Sequence, residues 1–291
     1  MPEGHTLFRL ARALDEHFAG RVVSVSSPQG RFADAAALLD GTRLEAAESY
    51  GKHLFVDFEQ ERCVHVHLGL YGTFLVHDGG APPPVGQIRL RLVADGPDDT
   101  DHAGRRGPSY ADLRGATACE LMTAAQQRAL LDRLGPDPLR PDADWTRAWA
   151  RVGSSRAPVG ALLMDQSVLA GVGNVYRAEV LFRHRVDPLR PGRTLRRSTF
   201  ERMWHDLVAL MADGVRRGRI ETVHPTSHEA ATGSVPSADT GDSPVFVYRR
   251  DGQPCFVCGT AVRTELLAGR NLFWCPRCQP RFRSRARASA A

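Results

Sequence analysis

Two short cysteine pairs, Cys255-Phe-Val-Cys258 and Cys275-Pro-Arg-Cys278, decide how the C-terminal part of this chain folds. Sixteen residues separate the pairs, which is a spacing typical of a zinc site with four thiolate ligands. Disulfides are the weaker alternative, because nothing in the sequence indicates an oxidising compartment. A Zn²⁺ ion held by four thiolates has no open coordination position, so the predicted ion is structural. The residues between the pairs predict a two-stranded hairpin with Arg270 near its turn.

Length and composition place the chain among globular proteins that have an acidic partner. The chain has 291 residues, 42% of them hydrophobic, and a net charge of +5. No apolar run is long enough for a transmembrane helix, and the N-terminus does not have the pattern of a secretory signal. We therefore expect a cytoplasmic protein without membrane association. Nucleic acid is the first candidate partner, although the basic clusters also fit a solvated helix face and tail.

The remaining sequence divides into segments that differ in their pattern of apolar and turn-forming residues. Apolar residues at helical spacing predict a helix over 3–18, and short apolar runs separated by Gly, Pro and Asp predict a β-sandwich up to residue 122. Further helices are predicted at 123–134, 144–152, 158–167, 174–184 and 198–218. The predicted organisation is an N-terminal domain at 1–122, a helical domain at 123–222, a linker or mobile loop at 223–244, a zinc finger at 245–280 and a basic tail at 281–291.

A glycine-rich turn lies between two of the predicted helices, at Gly171-Val172-Gly173-Asn174. Backbone N–H groups and the positive end of a helix dipole make such a turn suitable for binding phosphate. A simple corner between two helices fits the same residues equally well. The turn is not a dinucleotide fingerprint, because the third glycine is missing and no strand precedes it.

One lysine stands out among the basic residues. Lysine and arginine together number 38, and Lys52 is the single lysine among them. A coding bias towards arginine is one explanation, in which Lys52 is a lysine that the bias has not replaced. Alternatively, a site needs a compact ammonium whose pKa can be shifted, which a guanidinium does not provide.

Four features taken in order resemble the formamidopyrimidine-DNA glycosylase/endonuclease VIII family of base-excision repair enzymes. They are Pro2-Glu3-Gly4, Gly51-Lys52, the Gly171–Asn174 turn and the terminal four-cysteine finger, and the resemblance covers about residues 2–280. It implies an α+β fold: an N-terminal helix and β-sandwich, a helix–two-turns–helix domain, and a finger with one structural Zn²⁺. It also implies a monomeric bacterial enzyme that holds damaged DNA in a cleft between two lobes and associates with the nucleoid through DNA.

The resemblance assigns the chemistry to Pro2, Glu3 and Lys52. The secondary amine of Pro2, exposed by removal of Met1, would attack the sugar C1′ and form an iminium after expelling the damaged base. Glu3 would shuttle protons at the sugar and during β,δ-elimination of the strand. Lys52 would contact a phosphate near the lesion and assist proton transfer.

Six further residues carry over as DNA contacts, and Glu179 carries over as structural support. His67, Asn174 and Arg270 would bind phosphate, and Leu70 and Tyr71 would fill the space left by the extruded nucleotide. The residues themselves also allow Leu70 and Tyr71 to be core residues that follow a strand. The predicted DNA-binding set is His67, Leu70, Tyr71, Arg114, Asn174 and Arg270.

Departures from the family pattern affect the choice of substrate. His5 and Thr6 stand where family members commonly continue with Pro-Glu, and the loop with Arg114 lacks the aromatic of the purine-directed branch. Leu70-Tyr71-Gly72 resembles the endonuclease VIII branch, so oxidised pyrimidines are the expected lesions. The alternatives are a purine-directed glycosylase for 8-oxoguanine and formamidopyrimidine, an abasic-site lyase, and a zinc-containing DNA-binding protein without activity.

Overall fold

A computed structural model describes residues 2–96, 107–223 and 244–283 of the chain. Contacts separate the chain into two units, Met1–Arg133 and Leu134–Ala291. The predicted loop at 223–244 and the predicted tail at 281–291 lie almost entirely outside the described residues. In the described ranges, no helix combines the length and apolar character that crossing a membrane requires.

The first unit begins with the predicted helix, α1 (Gly4–Phe18), whose apolar face is buried. Leu7, Leu14 and Phe18 are at most 1% exposed because they pack into the hydrophobic core of the unit. The helix ends at Ala19, and Gly20 follows with a φ of +83°, a conformation that glycine adopts without strain.

Eight antiparallel strands follow, in the spatial order β5-β7-β6-β1-β2-β3-β4-β8. Strand β1 pairs with β2 through Val22 and Val23 and with β6 through Ser24–Ser26, so it joins two four-stranded halves. Buried residues of both halves and of α1 form one cluster, which is the predicted β-sandwich with its helix. The strands are β1 (Val22–Ser26), β2 (Thr42–Tyr50), β3 (His53–Phe58), β4 (Arg62–His67), β5 (Thr73–Asp78), β6 (Ile88–Ala94), β7 (Ser109–Arg114) and β8 (Ala118–Met122).

Two further helices belong to the first unit. The short helix α2 (Ala33–Leu39) buries Ala36 and Leu39. Helix α3 (Ala124–Leu131) starts at a capping box, in which Thr123 and Gln126 exchange hydrogen bonds.

The second unit is helical up to its C-terminal finger. Its helices are α4 (Trp145–Ser154), α5 (Val159–Leu162), α6 (Asn174–Arg183) and α7 (Arg197–Arg217), with a 3-10 turn at Gly192–Thr194. The predicted helix at 158–167 is therefore much shorter than expected. The Asp165 carboxylate accepts a hydrogen bond from the Ser167 N–H, a local turn that competes with continued helix.

The finger packs directly on helix α6 of the same unit. Strands β9 (Arg263–Leu267) and β10 (Arg270–Trp274) form the predicted hairpin. Phe182 of α6 stacks on Phe246 with ring centroids 4.9 Å apart, and both belong to a cluster that includes Cys255 and Cys275. The finger and the helices therefore share buried surface.

We predict that Leu14→Ala destabilises the protein by about 2–5 kcal/mol, because it leaves a cavity in the core beside α1. Chemical denaturation followed by circular dichroism measures the change. Glu16→Ala on the exposed side of the same helix is the matched control, expected to stay within about 0.5 kcal/mol of the wild type. Equal effects of the two substitutions would contradict the assigned helix face.

Candidate active site and nucleic-acid surface

The N-terminal residues are held at the start of α1. Glu3 is the N-cap residue of the helix and is completely buried, and its carbonyl accepts a hydrogen bond of 2.9 Å from the Thr6 N–H. Pro2, immediately before it, is partly exposed. The positive end of the helix dipole favours a carboxylate at this place. The structure therefore fixes a buried acidic residue directly after a partly exposed Pro2.

His5 occupies the first turn of the same helix, where the sequence departs from the pattern of the family that it resembles. It is 5% exposed, and its Nε2 lies 3.3 Å from the Thr6 hydroxyl. Burial, and then the charge of Arg9, lowers the pKa of His5 to about 4. The ring is consequently neutral at neutral pH.

Lys52 lies in the two-residue turn between β2 and β3. Tyr50 and His53 pair on either side of the turn, and Gly51 has a φ of +60°. A glycine with positive φ at the first turn position is typical of tight hairpins. The turn therefore fixes the backbone of Lys52 between two strands.

Three histidines form a cluster next to this turn, and only one of them, His67, was among the predicted site residues. His53 Nδ1 lies 2.9 Å from His65 Nε2, and His65 Nδ1 lies 3.0 Å from the Glu120 carboxylate. The His53 ring also lies 5.2 Å from the His67 ring, between centroids. A carboxylate only accepts, so His65 donates to Glu120 from Nδ1. The alternation Cys63-Val-His65-Val-His67 is the signal that could have revealed the shared face.

Burial lowers the pKa values of two rings in this cluster, those of His53 and His67. Burial, and then the charges of His65, His67, Arg133 and Lys52, lowers the pKa of His53 to about 3. Burial, followed by His65 and Lys52, also lowers the pKa of His67.

The loop after β4 presents two large apolar side chains to solvent. Tyr71 is 87% exposed and Leu70 is 40% exposed, so neither is a core residue. The backbone below them is closely packed: a Cβ on Gly72 would lie 2.3 Å from the Leu68 carbonyl oxygen, and one on Gly115 would lie 3.3 Å from that of Tyr71. The loop therefore exposes these side chains from a fixed backbone.

Arg114 is bound by other groups of the same sheet. Its guanidinium donates to Asp112 at 3.0 Å and to the Val85 carbonyl at 3.3 Å. Asp112 is buried and also accepts two bonds from Arg91, at 2.7 and 2.8 Å. Because Arg114 shares this carboxylate, any DNA contact by its guanidinium has to compete with an existing ion pair.

In the second unit, the structure brings Asn174 close to the residue that follows Arg270. Asn174 begins α6, and its Nδ2 donates to the Asn271 carbonyl at 2.9 Å. Arg270 is exposed and opens β10 after a turn in which Ala268 and Gly269 both have positive φ. Two predicted phosphate-binding residues, distant in sequence, thus lie on connected segments.

Glu179 has the supporting role that the sequence suggested. It is fully buried on α6, and it accepts bonds from the N–H groups of Phe246, Val247 and Tyr248 at 2.7–3.0 Å and from the Thr222 hydroxyl. It therefore ties α6 to residues on both sides of 224–243.

The four cysteines of the finger form a metal site. Their sulfur atoms all lie within 4.8 Å of one another, a grouping that fits the tetrahedral thiolate set of structural Zn²⁺. Gln279 anchors the site to the helical part, because its amide accepts from the Cys275 N–H and donates to the Val186 carbonyl, at 3.0 and 2.9 Å. Zinc held here would close the finger and leave no ligand position for chemistry.

Family models match three successive parts of the chain. The formamidopyrimidine-DNA glycosylase N-terminal domain matches residues 1–119, its H2TH domain matches residues 134–225, and the zinc finger found in FPG and IleRS matches residues 252–281.

Curated proteins and solved structures match over nearly the whole length. Endonuclease 8 1 of Mycobacterium tuberculosis is 52% identical over 285 residues, covering 96% of this chain and all of the relative. Formamidopyrimidine-DNA glycosylase of Methylococcus capsulatus is 31% identical, covering 96% of this chain and all of the relative. The structure of Lactococcus lactis Fpg with DNA containing an abasic site has a TM-score of 0.73 at 20% identity, covering 96% of this chain and all of that one.

We predict that Cys275→Ser releases zinc and weakens binding to DNA, because the three thiolates that remain do not complete the four-ligand zinc site. Metal analysis and a binding isotherm on duplex DNA measure the two effects, and the first unit should stay folded. Cys119→Ser, at a buried cysteine of the first unit, is the matched control for losing a thiol. Unchanged zinc content in Cys275→Ser would contradict the ligand assignment.

The histidine cluster should make the protein sensitive to acid. His53 has a folded pKa of about 3 and a value near 6.5 when unfolded, so the unfolded state binds the proton first as the pH falls. Stability should therefore decline below about pH 6.5, by up to roughly 1.4 kcal/mol per pH unit for this residue. Denaturation at pH 7 to 4.5 should give a shallower decline for His53→Asn. Phe55→Leu, at the ring stacked on His65, should lower stability without changing the slope, and a His53→Asn curve parallel to the wild type would refute the assignment.

Proposed function

The chain belongs to the formamidopyrimidine-DNA glycosylase family, and on that premise we propose that the N-terminal amine of Pro2 is its nucleophile. As a member, it is a base-excision repair DNA glycosylase with abasic-site lyase activity. One observation carries the assignment of the nucleophile: the fully buried Glu3 directly follows a partly exposed Pro2 in sequence, at the start of a helix with a buried face.

The reaction needs a neutral amine and a group that exchanges protons. Once Met1 is removed, the amine of Pro2 has a pKa near 8, so an appreciable fraction is unprotonated at neutral pH. Its lone pair forms a bond to the sugar C1′ while the bond from C1′ to the base breaks. Glu3 accepts the proton that the amine loses and delivers one to the ring oxygen, which opens the sugar and leaves an iminium.

Elimination then cuts the strand on both sides of the opened sugar. A proton-accepting group of the protein removes a proton from C2′ of the sugar, and the 3′ phosphate leaves. A second elimination then releases the 5′ phosphate. Glu3 is proposed to move these protons. Lys52, in its fixed turn, and His67 are proposed to bind a phosphate of the damaged strand, and the lowered pKa of His67 makes it a neutral hydrogen-bonding partner.

The exposed loop suits the extrusion of a nucleotide. Removing a base from the stack costs a few kcal/mol, which a wedge in the vacated space offsets. Leu70 and Tyr71 are proposed as that wedge because they are large, apolar and exposed on a constrained backbone. Asn174 and Arg270 are proposed to bind phosphate from the second unit. Arg114 is proposed as a weaker contact, since Asp112 already engages it.

Oxidised pyrimidines are the proposed lesions. The wedge residues are adjacent on one loop, and a relative named Endonuclease 8 1 shares 52% identity with the chain. The purine-directed alternative draws on relatives named formamidopyrimidine-DNA glycosylase at 31–35% identity. Thr6, beside the neutral His5, stands where the family commonly has a glutamate, and the loss of that carboxylate favours a third outcome, a lyase with little glycosylase activity.

Damaged duplex DNA is the proposed partner. A base-excision enzyme needs access to the genome, so the proposal places a monomer in the bacterial cytoplasm, on the nucleoid. Neither part of this placement is needed for the chemistry above.

Trapping with borohydride tests the proposal. The processed protein is incubated with borohydride and three duplexes, which contain an abasic site, an oxidised pyrimidine or 8-oxoguanine. We expect a covalent adduct, mapped to Pro2, on the abasic and pyrimidine duplexes. An adduct on 8-oxoguanine instead supports the purine-directed alternative, and one on the abasic duplex alone supports the lyase. No adduct on any duplex would refute the Pro2 mechanism.

Two variants separate chemistry from binding. A protein with a blocked N-terminus should bind DNA normally and form no adduct, because an amide nitrogen is not nucleophilic. Glu3→Gln should lower the single-turnover rate by about 100-fold or more with little change in affinity, as loss of general acid–base catalysis does. Glu16→Gln, exposed on the same helix, is the matched control and should retain the wild-type rate.

A further inference from the structure

We propose that Arg177 is a positioning residue for DNA binding, because it fastens the hairpin that carries Arg270 to the first turn of α6. The proposal rests on the function proposed above for Arg270 and Asn174. In this proposal the buried Arg177 does not contact DNA itself, and it affects DNA affinity by positioning Arg270.

Arg177 is a cation in the interior of the second unit. It lies one turn after Asn174 on α6, and it is 0% exposed. A charge in such a place is costly unless hydrogen bonds replace the lost water. The residue is therefore held by a specific set of acceptors.

Those acceptors come from three separate segments. The guanidinium donates to the Gly160 carbonyl of α5 at 3.3 Å and to the Asn271 carbonyl of β10 at 3.1 Å. It also donates to the side-chain oxygen of Asn174, whose amide nitrogen in turn donates to the same Asn271 carbonyl. One backbone oxygen, next to Arg270 in sequence, thus receives bonds from both α6 side chains.

The other strand of the hairpin, β9, packs against α5 at Gly160, the residue whose carbonyl binds Arg177. A Cβ at Gly160 would lie 3.1 Å from Leu267 Cδ2 and 3.0 Å from the Pro188 carbonyl oxygen. Leu267 therefore packs closely against Gly160, in space that a Cβ would crowd. The hairpin is therefore fixed through Leu267 on β9 and through Asn271 on β10, on either side of its turn.

The turn between these contacts is the place from which Arg270 extends. A two-stranded hairpin has little stability of its own, and most of β9 is exposed. Arg270 follows directly after the turn and lies between Leu267 and Asn271 in the chain. Fixing both neighbours limits the positions that its backbone reaches, so less conformational entropy is lost when its guanidinium binds a phosphate.

Binding of zinc-loaded, full-length protein to a duplex with a tetrahydrofuran abasic analogue tests this role. The dissociation constant is measured over a salt series for the wild type, Arg177→Met, Arg270→Ala and the double variant. Each single variant should weaken binding by about 10-fold or more and lower the slope of log Kd against log salt by about 1. In the Arg270→Ala background, Arg177→Met should add less than about twofold, because it acts through the missing guanidinium.

Independent effects would overturn the inference. If the double variant shows the full product of the two single effects, Arg177 does not act through Arg270. If Arg270→Ala leaves affinity and slope unchanged, the proposed role of Arg270 fails, and with it the action of Arg177 through that residue. The two failures are distinguishable because only the second is visible in the Arg270→Ala variant alone.

Two further variants separate positioning from stability. Arg183→Met removes another arginine of α6, which is bound to Asp206 and the Thr222 carbonyl, and should leave the salt slope unchanged. An equal loss of slope there would show a general structural effect and overturn the inference. If Arg177→Met does not fold, Arg177→Lys keeps the charge with a single donor group and should show the same non-additivity with Arg270→Ala.

Discussion

The burial of one face of α1 is the constraint on which the proposed active site depends. A nucleophile at a chain terminus has no side chain to orient it, and chain termini are disordered unless something holds them. Leu7, Leu14 and Phe18 fix the helix in the sandwich core, and Glu3 is buried at its first turn. A single peptide bond therefore joins Pro2 to Glu3, a residue whose position is fixed by burial.

The second unit depends on two buried charges of α6 that act in different directions. Glu179 gathers three backbone N–H groups around Phe246–Tyr248, and Arg177 gathers oxygens from α5, α6 and the hairpin. Each charge would be destabilising without its partners, so neighbouring segments have little freedom to move away from α6. Zinc adds closure of the finger, and Gln279 connects that closure back to Val186.

The sequence predicts well those features that depend on local spacing, and less well those that depend on pairing. The cysteine pairs and the α1 face are local, and the structure has them as expected. Strand β2 (Thr42–Tyr50) contains two Ala and two Glu among its nine residues, so its own sequence indicates a strand weakly, and its place is set by pairing with β3. The chain of His53, His65 and Glu120 needs three neighbouring strands in register, which no single stretch of sequence contains.

The position of Lys52 is better explained by chemistry than by coding bias alone. Bias accounts for the scarcity of lysine but not for its place in a tight turn beside two histidines whose pKa values are lowered by burial and partly by its charge. With those rings neutral, the ammonium supplies positive charge at the turn without requiring a second group to be protonated. A guanidinium holds its proton at any physiological pH, whereas an ammonium can release one. A site proposed both to bind a phosphate and to move protons therefore has a reason to retain lysine, although the other 37 of the 38 lysine and arginine positions are arginine.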